Sequence, residues 1–388
     1  MQFAIVAVSF ILVFAAAGSP IPLYETYRAE DGVTTGDLAV DAVAYFAGTL
    51  FSLLLLGRLS DHVGRKPVTI AALLIASAGV ALMTQVDGSG VLGVARLLQG
   101  VASGLAASAI GAYVVDVAPE RPAWLPTMIT GSGPMFGIPA GALISGTLVQ
   151  IAPLPRLVPF AAISALLLAA AVASASVRET VAPAPGALRS LLPRVSAPRG
   201  TGRLLFAIGA AAFATWSMGG AYQAFAPTIT AEYLGSDNAL VAASVFSSIM
   251  IAGPLGGPIA GRLGPRRAVR IGIVVFALAI ATALASLLLG SIISFLLASL
   301  IAAVAQGTTA SAGTGAMLRH ARPSERGATL AAVYVISYSG AAFPALVAGQ
   351  FTGTGTLAQI FTGYTALVAV GMLVVLAPFP RAADTPRA

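Results

Sequence analysis

The sequence predicts an all-α integral membrane protein, with twelve transmembrane helices arranged as two pseudo-symmetric six-helix bundles. Three observations predict it. Of the 388 residues, 57% are hydrophobic and only 9% are charged, where a soluble domain carries roughly 25% charged residues. Long apolar runs, nearly free of charge and long enough to cross a bilayer at about 20 residues each, recur twelve times. The marks of the first half, glycines above all, return in the second at an offset of about two hundred residues.

In chain order, span 1 covers 3–23. Its Ala15-Ala16-Ala17 stretch resembles a signal-peptide cleavage region, but no basic segment precedes it, and removing it would leave eleven spans. Span 2 (38–57) is entered through Thr34…Asp37, the spacing of a capping box. Spans 3 (68–86) and 4 (91–117) follow a short basic hairpin, span 5 (124–148) carries two internal prolines, and span 6 (157–177) is uniformly apolar. Residues 178–202, rich in Pro, Ser, Ala and Arg, are too polar to span and read as a linker. Spans 7 to 12 then occupy 203–227, 239–261, 268–288, 292–317, 326–350 and 358–378. The expected domains are therefore 1–177, the linker 178–202, and 203–388 with a short tail. Backbone amides in lipid must be paired internally, so only helices or a closed barrel can span. These runs do not alternate as barrel strands do.

Charge sets the orientation. Lys and Arg fall in the hairpins after spans 2, 4, 8 and 10, in the linker, and in the tail at Arg381 and Arg387, while the opposite loops hold only Arg28 and Arg156. Those opposite loops are acidic, with Glu25, Glu30, Asp31, Asp37, Asp87, Glu232 and Asp237. Positive charge gathers on the cytoplasmic side, so both termini are expected in the cytoplasm of a plasma-membrane protein. The net charge of +7 is thereby accounted for without nucleic acid. There is no cysteine, and both histidines, His62 and His320, lie in turns; no metal site or cofactor is expected, and no nucleotide loop or nucleophile–base pair marks an enzyme.

The repeat is explicit. Gly57…Leu59…Asp61…Gly64-Arg65-Lys66 falls on Gly257…Ile259…Gly261…Gly264-Pro265-Arg266, keeping the glycines but losing the carboxylate. Gln99-Gly100 returns as Gln306-Gly307, Pro119-Glu120-Arg121 as Pro323-Ser324-Glu325-Arg326, and Ile138-Pro139-Ala140 as Phe343-Pro344-Ala345.

The hairpin Gly57-Arg58-Leu59-Ser60-Asp61-His62-Val63-Gly64-Arg65-Lys66 resembles the G-x-L-x-D-x-x-G-R-K loop between helices 2 and 3 of the major facilitator superfamily of secondary transporters. The resemblance covers essentially the whole chain, and implies that superfamily's fold, two six-helix halves with a midplane site between them. It also implies that Gly57, Asp61, Gly64, Arg65 and Lys66 form a conformational latch, with Asp61 facing the N-terminus of span 11, where a helix carries about half a positive charge. Arg65 and Lys66 would then pair with Asp61 or with lipid phosphates; a solvated turn is the plain alternative. Gly261 in place of the carboxylate makes any latch one-sided.

Arg96 is the one basic residue within a span and away from its cytoplasmic end, and burying it costs a few kcal/mol or more unless it meets a partner or water. Arg96…Gln99-Gly100…Gly104 resembles the superfamily's R-x-x-Q-G-x-x-x-G pattern, whose arginine is linked to proton coupling in some members. Snorkelling to the interface is the alternative. Asp41 and Glu25 are the carboxylates nearest in depth, so an Asp41–Arg96 or Glu25–Arg96 pair is one expectation, and Asp41 at a wet helix entrance the other.

In span 5, Gly133-Pro134-Met135-Phe136-Gly137 with Pro139 partly resembles a G-P-x-x-G motif of drug–proton antiporters. Prolines bend a helix and glycines let neighbours close in whatever is carried, and Pro344 does the same in span 11. The resemblance implies a cavity lined by spans 1, 4, 7 and 10. Tyr113, Trp216, Tyr222, Gln223, Gln306, Tyr334 and Tyr338 are its candidate large residues, each as readily a helix contact. Such a charge-poor wall suits a moderately hydrophobic molecule. The expected activity is proton-coupled efflux of a small organic molecule by a monomer, with uniport or import of a neutral metabolite, or a non-transporting membrane sensor, as alternatives.

Overall fold

The computed structural model describes residues 1–122, 124–322 and 325–377. The Pro323-Ser324 part of the repeat, the tail with Arg381 and Arg387, and the end of span 12 lie outside the described residues. Among the described residues, twelve helices are long and apolar enough to cross a membrane. They are α1 (Gln2–Glu30), α2 (Thr35–Leu56), α3 (Arg65–Gln85), α4 (Ser89–Asp116), α5 (Leu125–Ile151), α6 (Val158–Ala175), α7 (Gly202–Tyr233), α8 (Ala239–Leu263), α9 (Pro265–Leu288), α10 (Ile292–His320), α11 (Arg326–Phe351) and α12 (Leu357–Leu376). Among the described residues there are no strands.

Helix ends follow local chemistry. Thr34 Oγ1 accepts from the Asp37 N–H at 3.1 Å while Asp37 Oδ2 accepts from the Thr34 N–H at 2.8 Å, the reciprocal box expected at the start of α2. Thr356 and Gln359 repeat this device at α12, and the Asn238 side chain caps α8. α1 runs beyond its expected end: Pro20 and Pro22 produce a single 3-10 turn over Ile21–Leu23, after which the helix resumes. α7 likewise continues past Pro227 to Tyr233. A proline within a helix removes one hydrogen bond, and neighbouring helices supply the packing that holds the rest.

The two halves follow one plan. Gly64 and Gly264, at matching points of the two hairpins, both have positive φ, 104° and 72°. Gln99 Nε2 donates to the Ala16 carbonyl of α1 at 3.0 Å, and Gln306 Nε2 to the Thr215 carbonyl of α7 at 3.4 Å. Where α1 crosses α5, a Cβ on Gly18 would overlap the Ile138 carbonyl and one on Gly141 the Ala15 carbonyl; where α7 crosses α11, Gly220 and Gly340 stand the same way to Ala341 and Phe213. These crossings bring backbones together as only glycine allows.

We call the end bearing Met1 and the 178–201 linker the linker end, and the other the far end. Close contacts joining the halves run from the far end to mid-depth. Gly349 of α11 meets Gly36 and Ala39 of α2, and Gly146 of α5 meets Ala239 and Leu240 of α8. Deeper, Ser247 Oγ donates to the Pro139 carbonyl at 3.4 Å, and Phe46 lies 6.0 Å from Tyr338 between ring centroids. At the linker end the halves are joined through the linker, whose Ser196 N–H donates to the Ala328 carbonyl at 3.3 Å.

Candidate functional site

Arg96 sits two turns into α4 from the far end and is fully buried; it does not snorkel. Its Nη1 donates to the Ala17 carbonyl and to Gln99 Oε1, both at 2.7 Å. The Tyr45 ring lies under its guanidinium, 4.6 Å from Cζ to centroid, a cation–π contact. Its other edge, Nε and Nη2, has no hydrogen-bond partner among the described residues. That edge is the side-on fork with which arginine grips an oxyanion.

Asp41 is buried rather than at a wet entrance, with a relative exposure of 2%. Its Oδ1 lies against α4 at Gly93, where a Cβ would come within 3.1 Å, and its Oδ2 is also without a partner. No Asp41–Arg96 contact within the 4.0 Å limit of an ion pair is formed, although the two groups and the Tyr24 hydroxyl are within electrostatic reach of one another. Tyr24 is fully buried and its hydroxyl, too, is unpartnered. Three orphaned polar groups from α1, α2 and α4 thus gather where each would ordinarily cost a few kcal/mol. Glu25 stands apart: its carboxylate accepts from Arg28 at 2.9 Å. Both line a polar groove of about 550 Å³ at the far end, shared with Thr34 and Thr35 of the first half and Thr352 and Gly353 of the second.

From Arg96 an aromatic chain leads across the interface. Tyr45 packs edge-on to Phe46 at 5.4 Å, Phe46 approaches Tyr338 of α11, and Tyr338 meets Trp216 of α7 at 4.9 Å and Tyr334 at 6.2 Å. Gln223 is buried in α7 with its Nε2 unpartnered. The other two nominated tyrosines lie elsewhere. Tyr222 is packed inside the second half, its hydroxyl 2.7 Å from Ser299 Oγ and its ring stacked on Phe295. The Tyr113 hydroxyl donates to the Arg178 carbonyl at 2.5 Å at the linker end.

In the hairpin, Asp61 pairs with Arg65 at 2.6 Å, within its own half. Arg65 Nε also bonds Asp116 at the end of α4 at 3.1 Å, and Lys66 Nζ donates to the Ala175 carbonyl. Glu179, just beyond α6, accepts the Arg65 and Lys66 backbone N–H groups at 2.9 and 3.0 Å and so caps α3. Gly64 is needed twice over, by its φ and because a Cβ would press on the Glu179 carboxylate. Burial pushes the Glu179 carboxyl up, but its backbone donors outweigh this and hold it below its ordinary value. Gly133 and Gly137 of α5 receive Phe10 and Phe14 of α1, so this glycine stripe is the α1–α5 seam, with Pro134 and Pro139 inside a continuous helix; Pro344 sits likewise within α11.

Sequence reading did not nominate Tyr24, Tyr45, Phe46, Asp116 or Glu179. Tyr45 was findable, since it stands four residues after Asp41 on the same helix face. Glu179 was not, because its contacts are distant in sequence.

Twelve candidate spanning helices in two related halves, with unpaired polar groups buried among them, are the arrangement of a secondary transporter. The family model described as Major Facilitator Superfamily matches residues 6–343, and the chain belongs to that superfamily. Among solved structures it is similar to the nucleoside transporter NupG in a point-mutant form, at 14% identity and a TM-score of 0.73, covering 97% of this chain and 100% of that one. That likeness shows the fold alone. No curated protein matches the sequence. The chain is a multi-pass membrane transporter, not an enzyme.

Proposed function

We propose that this transporter expels a small, moderately hydrophobic, neutral or weakly charged molecule from the cytoplasm in exchange for protons, acting as a monomer by alternating access. The observation that carries this reading is the Asp41 Oδ2 atom, buried and unpartnered within electrostatic reach of Arg96, whose Nε and Nη2 are likewise without a partner. A carboxyl so placed has two good states: protonated and neutral, or ionised and drawn onto the arginine. Switching between them is what couples proton movement to the halves' rocking. Substrate would lie against the Phe46–Tyr338–Trp216 cluster, whose rings bind apolar surface while offering polar edges, with Gln223 and Gln306 as neutral anchors. With the linker end in the cytoplasm, a placement the distribution of arginines supports, the far-end contacts fit an inward-facing arrangement, in which Asp61 pairs locally. The latch to α11 would form on the opposite swing.

A second reading, uptake or uniport of a neutral metabolite, is favoured by the unpartnered Gln223 amide, which suits a polar uncharged ligand; a nucleoside, the cargo in NupG's name, belongs to that class. The two are separated by measuring dye and drug accumulation in a pump-deficient bacterial host expressing wild type, Asp41→Asn or Arg96→Ala at matched levels. Protonophore-sensitive protection by wild type alone supports proton-driven export. Protonophore-insensitive uptake of neutral metabolites, unchanged in Asp41→Asn, would sink it.

A further inference from the structure

The two hairpins repeat each other in backbone but not in charge. In the first, Arg65 pairs with Asp61 and Asp116, and Glu179 seats its carboxylate on the first N–H groups of α3. In the second, Gly261 stands where Asp61 does, and a Cβ on Gly264 would find no atom within 4 Å, where one on Gly64 meets Glu179. No side chain caps the first turn of α9. Arg262, Arg266, Arg267 and Arg270 are all exposed there, and none forms an ion pair among the described residues. The acidic residues described in the second half are elsewhere: Glu232 and Asp237 lie at the far end, and Glu325 Oε2 accepts from the Arg322 N–H. The direction these arginines face decides what could balance them. Arg267, Ile271, Val275 and Leu278 recur at i, i+4, i+8 and i+11, one face of a helix, and the three apolar residues are 46%, 36% and 64% exposed. Gly272, Phe276 and Ile280, on the opposite face, are buried. α9 packs on α7, α8, α10 and α12 of its own half, so its exposed stripe lies on the outside of the bundle. That stripe is apolar along the spanning segment and begins in Arg267, with Arg270 beside it. Topology asks only for positive charge in such a loop; it does not ask that arginines head a lipid-facing stripe.

We propose that the α8–α9 hairpin is a binding site for an anionic phospholipid of the leaflet at the linker end. The phosphate sits among Arg262, Arg266, Arg267 and Arg270 and supplies the counter-charge that Asp61, Asp116 and Glu179 supply in the first half. An acyl chain lies along Ile271, Val275 and Leu278. Arginine donates to phosphate as it does to carboxylate, and basic residues clustered beside a spanning helix attract anionic headgroups. A dissolved anion would gain nothing from the apolar stripe that continues from the arginines, whereas a lipid uses both. The site is separate from Asp41 and Arg96, and it stands whether the protein exports its substrate or takes it up.

The test is native mass spectrometry of the full-length protein in detergent, titrated with phosphatidylglycerol, with phosphatidylcholine, and with phosphatidylglycerol in the presence of inorganic phosphate. Saturable retention of phosphatidylglycerol is expected at concentrations where phosphatidylcholine is not held. Arg267→Gln/Arg270→Gln should weaken that retention roughly ten- to thirtyfold, from the share each basic residue contributes beside an anionic headgroup. Arg194→Gln/Arg199→Gln removes the same charge from exposed linker positions at the same end and should leave retention unchanged. Elution and melting of both variants check that they fold as wild type does. Equal retention of the two lipids overturns the proposal, as does a hairpin variant that binds like wild type. Equal losses in the two double variants also overturn it, since they would reflect overall charge and no particular site. Displacement by inorganic phosphate at the lipid's own concentration would reveal a site for a free anion, and the lipid assignment would fall.

Discussion

Arg96 is satisfied on one edge and bare on the other. Its bound edge fixes its position against α1 through the Ala17 carbonyl, and its bare edge gives it something to do. Lysine would keep the charge but lose the planar fork. Arg96→Lys is thus expected to fold yet to transport at a tenth of the wild-type rate or less, measured as initial efflux from loaded vesicles. Glu179 offers a prediction in pH. Its folded carboxyl is held below the ordinary value of 4.5, so its contribution is fully present above that value and fades as pH falls through the lowered one. Melting of wild type should weaken on acidification below about pH 4.5 more steeply than melting of Glu179→Gln, most visibly in the order of the hairpin. Equal slopes would show that the cap contributes nothing. At Gly64 an alanine meets both a strained φ and the same carboxylate, and a loss of about 1 kcal/mol or more is expected.

At the scale of the element, the α5 glycines divide by what they touch. A Cβ on Gly137 would stand 2.8 Å from Phe14 Cβ and 2.9 Å from the Ile11 carbonyl, whereas one on Gly131 meets nothing within 4 Å. Gly137→Ala should therefore push α1 and α5 apart and lower the melting temperature. Gly131→Ala should be neutral or stabilise by up to about 1 kcal/mol through helix propensity. Matched thermal melts of the two variants check this directly; equal destabilisation would mean that the stripe serves bending rather than packing. The linker, read from composition as too polar to span, is anchored. Arg58 Nη2 donates to the Ser190 and Leu192 carbonyls, and the Ala184 N–H to the His62 carbonyl, so the basic hairpin holds the chain that leaves its own half.

For the molecule as a whole, the proposed alternating access requires far-end contacts that open and close. The chain has no cysteine, which makes a pair introduced there clean to read. Ala39 Cβ lies 2.9 Å from a Cβ built at Gly349, close enough to be bridged with small adjustment. The double variant Ala39→Cys/Gly349→Cys should form a disulfide under mild oxidation and lose transport to background, with reductant restoring it. Oxidised protein that still transports would mean that these helix ends stay together throughout the cycle.

Hydropathy, charge placement and repeated glycines determined the number of helices and their six-plus-six plan, because each follows from local covalent chemistry and the cost of burying polar backbone in lipid; the superfamily came from the resemblance of the Gly57–Lys66 hairpin. The capping box at Thr34 was legible for the same reason. The tertiary structure alone decided who meets whom. It took Glu25 from Arg96 and gave it to Arg28, left Asp41 buried and unpaired, and drew Tyr222 and Tyr113 out of the candidate cavity. It also brought Tyr24 to the polar cluster and Glu179 to the end of α3. These outcomes turn on the rotation of each helix about its axis, which packing against distant segments sets and which a run of apolar residues with a weakly defined polar face leaves open.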